Sequence, residues 1–340
     1  MGVNISDIVP RKEIEFSELN GKTIAVDAYN TLYQFISTIR QADGTLLMDS
    51  KGNITSHISG LVYRNLNLLS EGIKIVYVFD GVPPALKMQE IENRRRLKEL
   101  YAEKYEEAKN NEDIESMKKY SSRTVKITDQ IISESKELLN AMGIPIIEAP
   151  SEGEAEAASL SKNNLVWAAA SQDYDSLLYG APYLIRNLTM SRKRKTNNGF
   201  VEIKPELIEF KSVLGTLDID RDQLICLAIL VGTDYNPGGI KGLGQKRALE
   251  IVQKYKYPFE IFRFVTDKYD FVFDWQEIFR LFHEYQTNRI DEIIFPPMNI
   301  KKIKNILTEK EFNEDRINSI LDKFVKMQED NKQKSLQDYF

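Results

Sequence analysis

A central, mainly parallel β-sheet flanked by helices is the α/β fold that this 340-residue chain predicts, and two observations carry the prediction. Short apolar runs that read as buried strands end near Asp27, Asp80, Glu148 and Ser171, and they alternate with helical patterns. Three of the runs lead into an acid: Lys22-Thr-Ile-Ala-Val-Asp27, Lys74-Ile-Val-Tyr-Val-Phe-Asp80 and Leu165-Val-Trp-Ala-Ala-Ala-Ser-Gln-Asp173. In an open parallel sheet, ligands bind at the carboxyl ends of the strands. Carboxylates gathered there repel one another at low dielectric, and a cation is the usual way to keep them ionised.

Composition sets the frame. With 42% hydrophobic and 29% charged residues, the chain is large enough to fold without staples, as one big domain or two ordinary ones. Its one cysteine, Cys226, lies in Leu224-Ile-Cys-Leu-Ala-Ile-Leu-Val231 and reads as a core residue in a reducing compartment. No run approaches the roughly 20 apolar residues of a membrane span, and the N-terminus has no signal-peptide core, so an intracellular protein without a membrane partner is expected. Met1-Gly2-Val-Asn-Ile-Ser6 fits an acylation pattern, but no basic patch or second anchor accompanies it. The net charge of -5 argues weakly against nucleic acid, although the basic residues cluster locally.

Taken in order, the strands leading to Asp27 and Asp80 come first. From Ala85 to about Tyr120 the chain is densely charged, with Arg94-Arg-Arg96, Lys98, Lys104, Lys118 and Lys119 among many Glu. That composition suits a solvated helical excursion held by Glu/Lys pairs better than a core helix. An amphipathic pattern resumes with Ile127, Ile131, Ile132, Leu138 and Leu139. Ser151-Glu-Gly-Glu154 fits a capping box with Ser151 as N-cap. Short strands are expected at Tyr183 to Arg186 and Phe200 to Ile203. Between them, Arg192-Lys-Arg-Lys195 reads as a hairpin tip on a DNA backbone, a solvated loop or a localisation signal. Beyond Pro205 the pattern is helical, through Leu224 to Val231, Gln245 to Tyr255 and Trp275 to Tyr285. After Met327 it gives way to a polar linker and then Leu336-Gln-Asp-Tyr-Phe340.

Seven acids, Asp27, Asp80, Glu152, Glu154, Asp173, Asp175 and Asp234, sit in apolar or Gly/Ser-flanked surroundings. Only two His are present, His57 and His283, so zinc is disfavoured, and an all-carboxylate set suits Mg²⁺ or Mn²⁺. Enough acids exist for two ions, the arrangement that serves phosphodiester hydrolysis. Each acid alone has a structural reading as a cap or turn residue. Those readings leave unexplained why several strands end in acid and why Asp173-Tyr-Asp175 follows one of them. Gly239-Ile-Lys241-Gly242-Leu-Gly244, followed by Gln-Lys246-Arg247, has the pattern of a helix-hairpin-helix, whose backbone N–H groups and charges take a nucleic-acid backbone. Gln333-Lys-Ser-Leu336-Gln-Asp-Tyr339-Phe340 places three apolar side chains on one helical turn, a peptide that folds on a partner.

Together Val26-Asp-Ala, Phe79-Asp-Gly-Val-Pro-Pro84, Ala149-Pro-Ser-Glu-Gly-Glu-Ala155, Ser171-Gln-Asp-Tyr-Asp175, Val231-Gly-Thr-Asp-Tyr235 and the Gly239 to Gly244 hairpin resemble the structure-specific 5′ nucleases, most closely flap endonuclease. The likeness covers essentially the whole chain, and its compact tail is archaeal in style, which implies a cytoplasmic protein. The resemblance implies a PIN-like nuclease domain over 1–327, with an N-terminal nuclease region (1–100), a helical arch (85–125), an internal nuclease region (138–235) and a helix-hairpin-helix element (226–256). A flexible tail (328–340) follows. It implies that Asp27, Asp80 and Glu154 hold one ion, that Asp173 and Asp175 with Glu154 hold a second, and that Glu152 and Asp234 act through water. Lys87 and Arg94 would steer the scissile phosphate, Tyr33 would stack a base, and Gly2 would lie near the site. The hairpin, at Gly239, Lys241, Gly242, Gly244, Lys246 and Arg247, would hold duplex, usually with a monovalent cation. Gln333, Leu336, Tyr339 and Phe340 would dock on the sliding clamp (PCNA), the protein being a monomer on its own. The implied activity is Mg²⁺-dependent cutting of 5′ flaps on branched DNA in replication and repair. A related 5′ exonuclease, a bubble-cutting repair nuclease and a non-catalytic DNA-structure adaptor are the alternatives.

Overall fold

The computed structural model describes residues 2–41, 44–111, 113–121, 123–196 and 199–337, with side chains except at 114, 118, 194–196 and 327–337. Strand β1 (Lys12–Glu13) precedes β2 (Thr23–Asp27), which passes directly into helix α1 (Ala28–Thr38). Helix α2 (Ser56–Ser70) returns the chain to β3 (Lys74–Phe79). The charged stretch then forms α3 (Met88–Asn110) and α4 (Ile114–Ser121), and in α3 only Glu90 and Ala108 are buried, as its composition predicts. Helix α5 (Asp129–Ala141), β4 (Ile146–Glu148), α6 (Gly153–Lys162), β5 (Ala168–Ala170), α7 (Asp175–Leu178) and β6 (Tyr183–Arg186) complete the alternating half.

Seven strands make the main sheet, in the order β1-β9-β6-β5-β2-β3-β4, where β9 is Glu206–Glu209. The pairs among β6, β5, β2, β3 and β4 are all parallel. Strands β9 and β1 close one edge antiparallel, an edge with no counterpart in the sequence reading. Alternation along the strands divides the side chains between two cores. Ala25, Val76 and Val78 face one core, and Ile24, Val26, Ile75, Tyr77 and Phe79 face the other. Burial on both faces fixes the register, because a one-residue slip would exchange the two sets. Each fully buried side chain of this size contributes roughly 1.5–3 kcal/mol.

The expected hairpin exists with a shifted role for its charges. Lys193–Thr196 is itself a strand, β7, paired antiparallel with β8 (Gly199–Glu202), so the basic run forms an arm and not the tip. Arg192 at its base donates from Nη1 to Glu71 at 3.0 Å and lies 4.1 Å from the centre of the Phe16 ring. Those contacts hold it to the body.

The second half is helical: α8 (Phe210–Leu217), α9 (Arg221–Val231), α10 (Gln245–Tyr255), α11 (Pro258–Thr266), α12 (Trp275–His283), α13 (Ile300–Glu309) and α14 (Glu314–Gln337). Helix α9 is apolar all round, and Gln223 to Leu230 are all buried, Cys226 among them. Burial pushes that thiol well up, so it is inert. Helix α14 continues past Met327 to Gln337, where a polar linker was expected. Among the described residues, no helix is long and apolar enough to cross a membrane.

Candidate active site

Parallel pairing sends the carboxyl ends of β2, β3 and β5 to one edge of the sheet, and the acids collect there. Asp27 ends β2 and caps α1, accepting from the Asn30 N–H at 3.0 Å, so its cap and site readings hold together. Asp80 follows β3, and its Oδ1 accepts from the Gly153 N–H at 2.6 Å. The start of α6 is therefore capped by an acid from another strand. The expected capping box does not form: the N-cap is Glu152, not Ser151, and it makes no side-chain cap bond. Glu152 and Glu154 are left free to face the cluster. Asp173 accepts from Asn30 Nδ2 at 3.0 Å, while Asp175 opens α7 and accepts from the Val3 N–H at 2.7 Å. Asp234 lies in the turn after α9.

The electrostatics divide the seven acids. Lys87 Nζ is 2.5 Å from Glu152 and 3.4 Å from Asp234, and Arg94 reaches Asp234 at 2.5 Å and Glu90 at 2.7 Å. Glu152 and Asp234 thus share the two cations at the foot of α3. For Lys87, burial works against the charge but is outweighed by Glu152 and Asp234, so it stays an ammonium. Arg94 is raised in the same way, chiefly by Asp234 against its own burial. Among the described residues, no Lys or Arg forms an ion pair with the inner five, although Lys87 acts at longer range on Asp80 and the N-terminus on Asp175. Asp27 is pushed up to about 8, first by burial and then by Asp80. Asp175 is pushed up to about 7 by burial and then by Asp173 and Asp234, even with the Val3 bond opposing. Burial and the charges of Asp175, Asp27 and Asp173 carry Glu154 well above its ordinary range.

These residues fit a hard divalent cation. Glu154 Oε1 is buried without a hydrogen-bond partner, an unsatisfied acceptor of the kind proteins rarely leave. The donors are all oxygens, as Mg²⁺ and Mn²⁺ prefer. Among the described residues, no three acids, His or Cys stand close enough to enclose an ion as placed. The set is linked by its field more than by contact, as unscreened like charges are.

The flanking residues divide into those at the acids and those of the hairpin. Gly2 lies against the inner acids, where an added Cβ would stand 2.5 Å from Asp175 Oδ2. Tyr33 is 39% exposed, with Lys98 Nζ 5.6 Å from the centre of its ring. The turn between α9 and α10 carries the predicted glycines, with unequal duties. Gly239, at φ +56°, is where the chain crosses its own backbone: a Cβ there would sit 2.3 Å from the Val231 carbonyl carbon. That crossing by itself requires glycine at this position. Gly242 and Gly244 have nothing within 4 Å of an added Cβ, and Lys241, Lys246 and Arg247 are exposed beside them. The side chains of Gln333 and Leu336, and all of Tyr339 and Phe340, lie outside the described residues.

Sequence reasoning missed Asn30 and Val3. Asn30 had a weak signal, three residues after Asp27 at a helix start. Val3 contributes a backbone N–H, which no side-chain motif reveals. It also missed Tyr179 and Tyr235, whose hydroxyls meet at 2.7 Å behind the acids.

The XPG N-terminal domain matches residues 4–101, and the XPG I-region matches residues 143–234. Parallel sheet, acids at its carboxyl edge and these two matches together define a nuclease of the XPG class. The flap endonuclease 1 of Pyrococcus furiosus is 50% identical over 343 residues, covering 100% of this chain and 99% of its own. That of Saccharolobus solfataricus is 48% identical over 331 residues, covering 95% of each. The solved flap endonuclease-1 from Methanococcus jannaschii superposes with a TM-score of 0.73 at 41% identity, over 96% of this chain and 98% of that one. The catalytic core of Rad2 in complex with DNA substrate, at 23% identity and a TM-score of 0.71, over 95% of this chain and 100% of that one, shares the fold. This chain belongs to the flap endonuclease 1 family.

Proposed function

We propose that the chain is a structure-specific DNA endonuclease that cuts a 5′ flap near the single-strand/duplex junction, leaving 5′-phosphate and 3′-hydroxyl ends. The observation that carries the reading is the inner acid set with its orphaned Glu154 oxygen, standing beside Lys87 and Arg94 at the foot of α3. Asp27, Asp80 and Glu154 would hold one Mg²⁺, and Asp173 and Asp175 with Glu154 a second, Mn²⁺ substituting. Glu152 and Asp234, already paired with cations, would act through water. When bound, such ions stabilise charge on the attacking and leaving oxygens of an in-line displacement.

The chain's own residues do the rest. Lys87 and Arg94 stand where a phosphate would exchange for Glu152 and Asp234, placing two fixed positive charges on the oxygens whose charge grows. Tyr33 offers a ring for the base beside the cut, and α3 with α4 forms the arch over the flap. Gly242, Gly244, Lys246 and Arg247 grip the duplex, with a monovalent cation in the turn. The Gln333 to Phe340 peptide carries the protein to a sliding clamp, and removal of residues after 327 is expected to abolish clamp binding by calorimetry.

The deciding experiment is cleavage of a labelled 5′ flap, with bubble and nicked duplexes beside it, with and without Mg²⁺. Asp175→Ala should abolish cutting and keep flap binding. Full activity of that variant in Mg²⁺ would refute the ion assignment, and uncut flap with the native chain would refute the function.

A further inference from the structure

Tyr179 and Tyr235 have no part in the roles given above, yet they stand directly behind the acids. Tyr179 closes α7, the helix opened by Asp175, and Tyr235 immediately follows Asp234. Both are buried, at 3% and 8% exposure. Phe282 of α12 packs on both rings, with centroids 5.2 Å from Tyr179 and 5.5 Å from Tyr235. Tyr285 meets Tyr179 edge-on at 5.0 Å. The turn bearing Asp234 is itself tied down: the Thr233 hydroxyl donates to Asn236 Oδ1 at 2.7 Å, and Asn236 Nδ2 donates to the Ile229 carbonyl at 2.7 Å. The 2.7 Å contact of the two hydroxyls is a direct polar link between these two pieces.

Burial first, and nearby charge after it, raises both phenols, so each keeps its proton at working pH. Two neutral phenols use one proton in their mutual bond, and the accepting phenol retains an O–H to donate elsewhere. They line a pocket of about 10 Å³ with Glu152, Glu154, Asp175 and Asp234, room for about one water. Its polar walls are mostly carboxylate, so an acceptor is at hand for that remaining proton.

We propose that Tyr179 and Tyr235 are a positioning pair for the reaction, their mutual bond holding Asp175 at a set separation from Asp234. The inference rests on the reading of the acids as ion ligands. Neither tyrosine is a catalytic residue; Tyr179 acts through Asp175, at the other end of the single-turn α7, and Tyr235 through the adjacent Asp234.

The test is a double-mutant cycle of Tyr179→Phe, Tyr235→Phe and both together, read in three ways: Mn²⁺ affinity by calorimetry without DNA, single-turnover cleavage at saturating flap, and flap affinity. A single Phe breaks the mutual bond, so each single variant should lose about 10-fold in rate and in Mn²⁺ affinity, with flap affinity unchanged. The double variant should be no worse than the worse single, because the pair acts as a unit. Single effects that multiply in the double variant would overturn the proposal, as would single variants with native rate and native Mn²⁺ affinity. A lowered melting temperature with Mn²⁺ affinity intact would equally overturn it, since that is a structural role alone. If the native chain binds Mn²⁺ but cuts no flap, the nuclease reading falls, and the calorimetric cycle still decides the pair.

Discussion

Gly153→Ala separates stability from activity at a single atom. Gly153 opens α6, and its N–H donates to Asp80 Oδ1 at 2.6 Å. A Cβ at this position would stand 2.7 Å from the same Oδ1, with the next neighbour, the Val78 carbonyl oxygen, at 3.5 Å. Ordinary contact begins at 3.4 Å, so the carboxylate must retreat by about 0.7 Å, the difference between those two distances. The backbone there is not left-handed, so Ala adds no strain of its own. Replacing Gly in a helix gains up to about 1 kcal/mol, and weakening a hydrogen bond to a charged acceptor costs about 1.5–3 kcal/mol. The net change in stability should stay within about 2 kcal/mol. Activity should respond while the protein remains folded, because a displacement near 1 Å in a reacting site costs up to about 100-fold. Single-turnover cleavage of a 5′ flap in Mg²⁺ should therefore slow by about 10- to 100-fold at unchanged flap affinity, and half-saturating Mg²⁺ should rise. A variant with native rate and native Mg²⁺ requirement would refute the idea that Asp80 must sit where Gly153 lets it.

Other outcomes follow from the same geometry. Lys87→Met removes the charge shared by Glu152 and Asp234, and single-turnover cleavage should fall about 100- to 1000-fold with flap affinity little changed. Gly239→Ala meets the backbone at 2.3 Å in a left-handed conformation and should cost at least about 2 kcal/mol in denaturant melts, whereas Gly244→Ala, facing open space, should stay within about 0.5 kcal/mol. Without divalent ions, Asp27 and Asp175 hold protons up to about 8 and about 7, while their unfolded counterparts release them near pH 4. The folded state then binds more protons across that window, so stability should fall as pH rises from about 4 to about 8. Melting curves in EDTA should show that slope and saturating Mg²⁺ should flatten it; a slope of opposite sign in EDTA would contradict the inner-acid assignment.

The strands leading to Asp27, Asp80, Glu148 and Ser171 were legible because apolar runs of strand length between helical patterns leave few other arrangements. Tyr183–Arg186 was placed to the residue. The two-residue β1 and its partner β9 were not, because so short an edge has no periodicity of its own. The basic run at Arg192 was misplaced to a tip for a related reason: charge marks a surface, but pairing decides whether that surface is a strand or a turn. The capping box failed where a local motif met a long-range competitor, since Asp80 takes the Gly153 N–H that a local cap would have influenced.

By itself, the sequence determined the layered α/β class, the seven acids and their concentration at strand ends, and the helix-hairpin-helix pattern with its charges. Composition and spacing are enough for those, because burial periodicity and ligand chemistry are properties of residue type. The division of the acids, which the resemblance alone implied, takes its physical cause from the tertiary structure. Glu152 and Asp234 pair with Lys87 and Arg94 at the foot of α3 and the inner five stand apart from those ion pairs, a partition made by contacts across as many as 140 residues of chain. The tertiary structure also showed that Gly239 serves a backbone crossing, and it brought Val3, Tyr179 and Tyr235 to the acids. Distances between remote segments set those roles, and no local pattern encodes them.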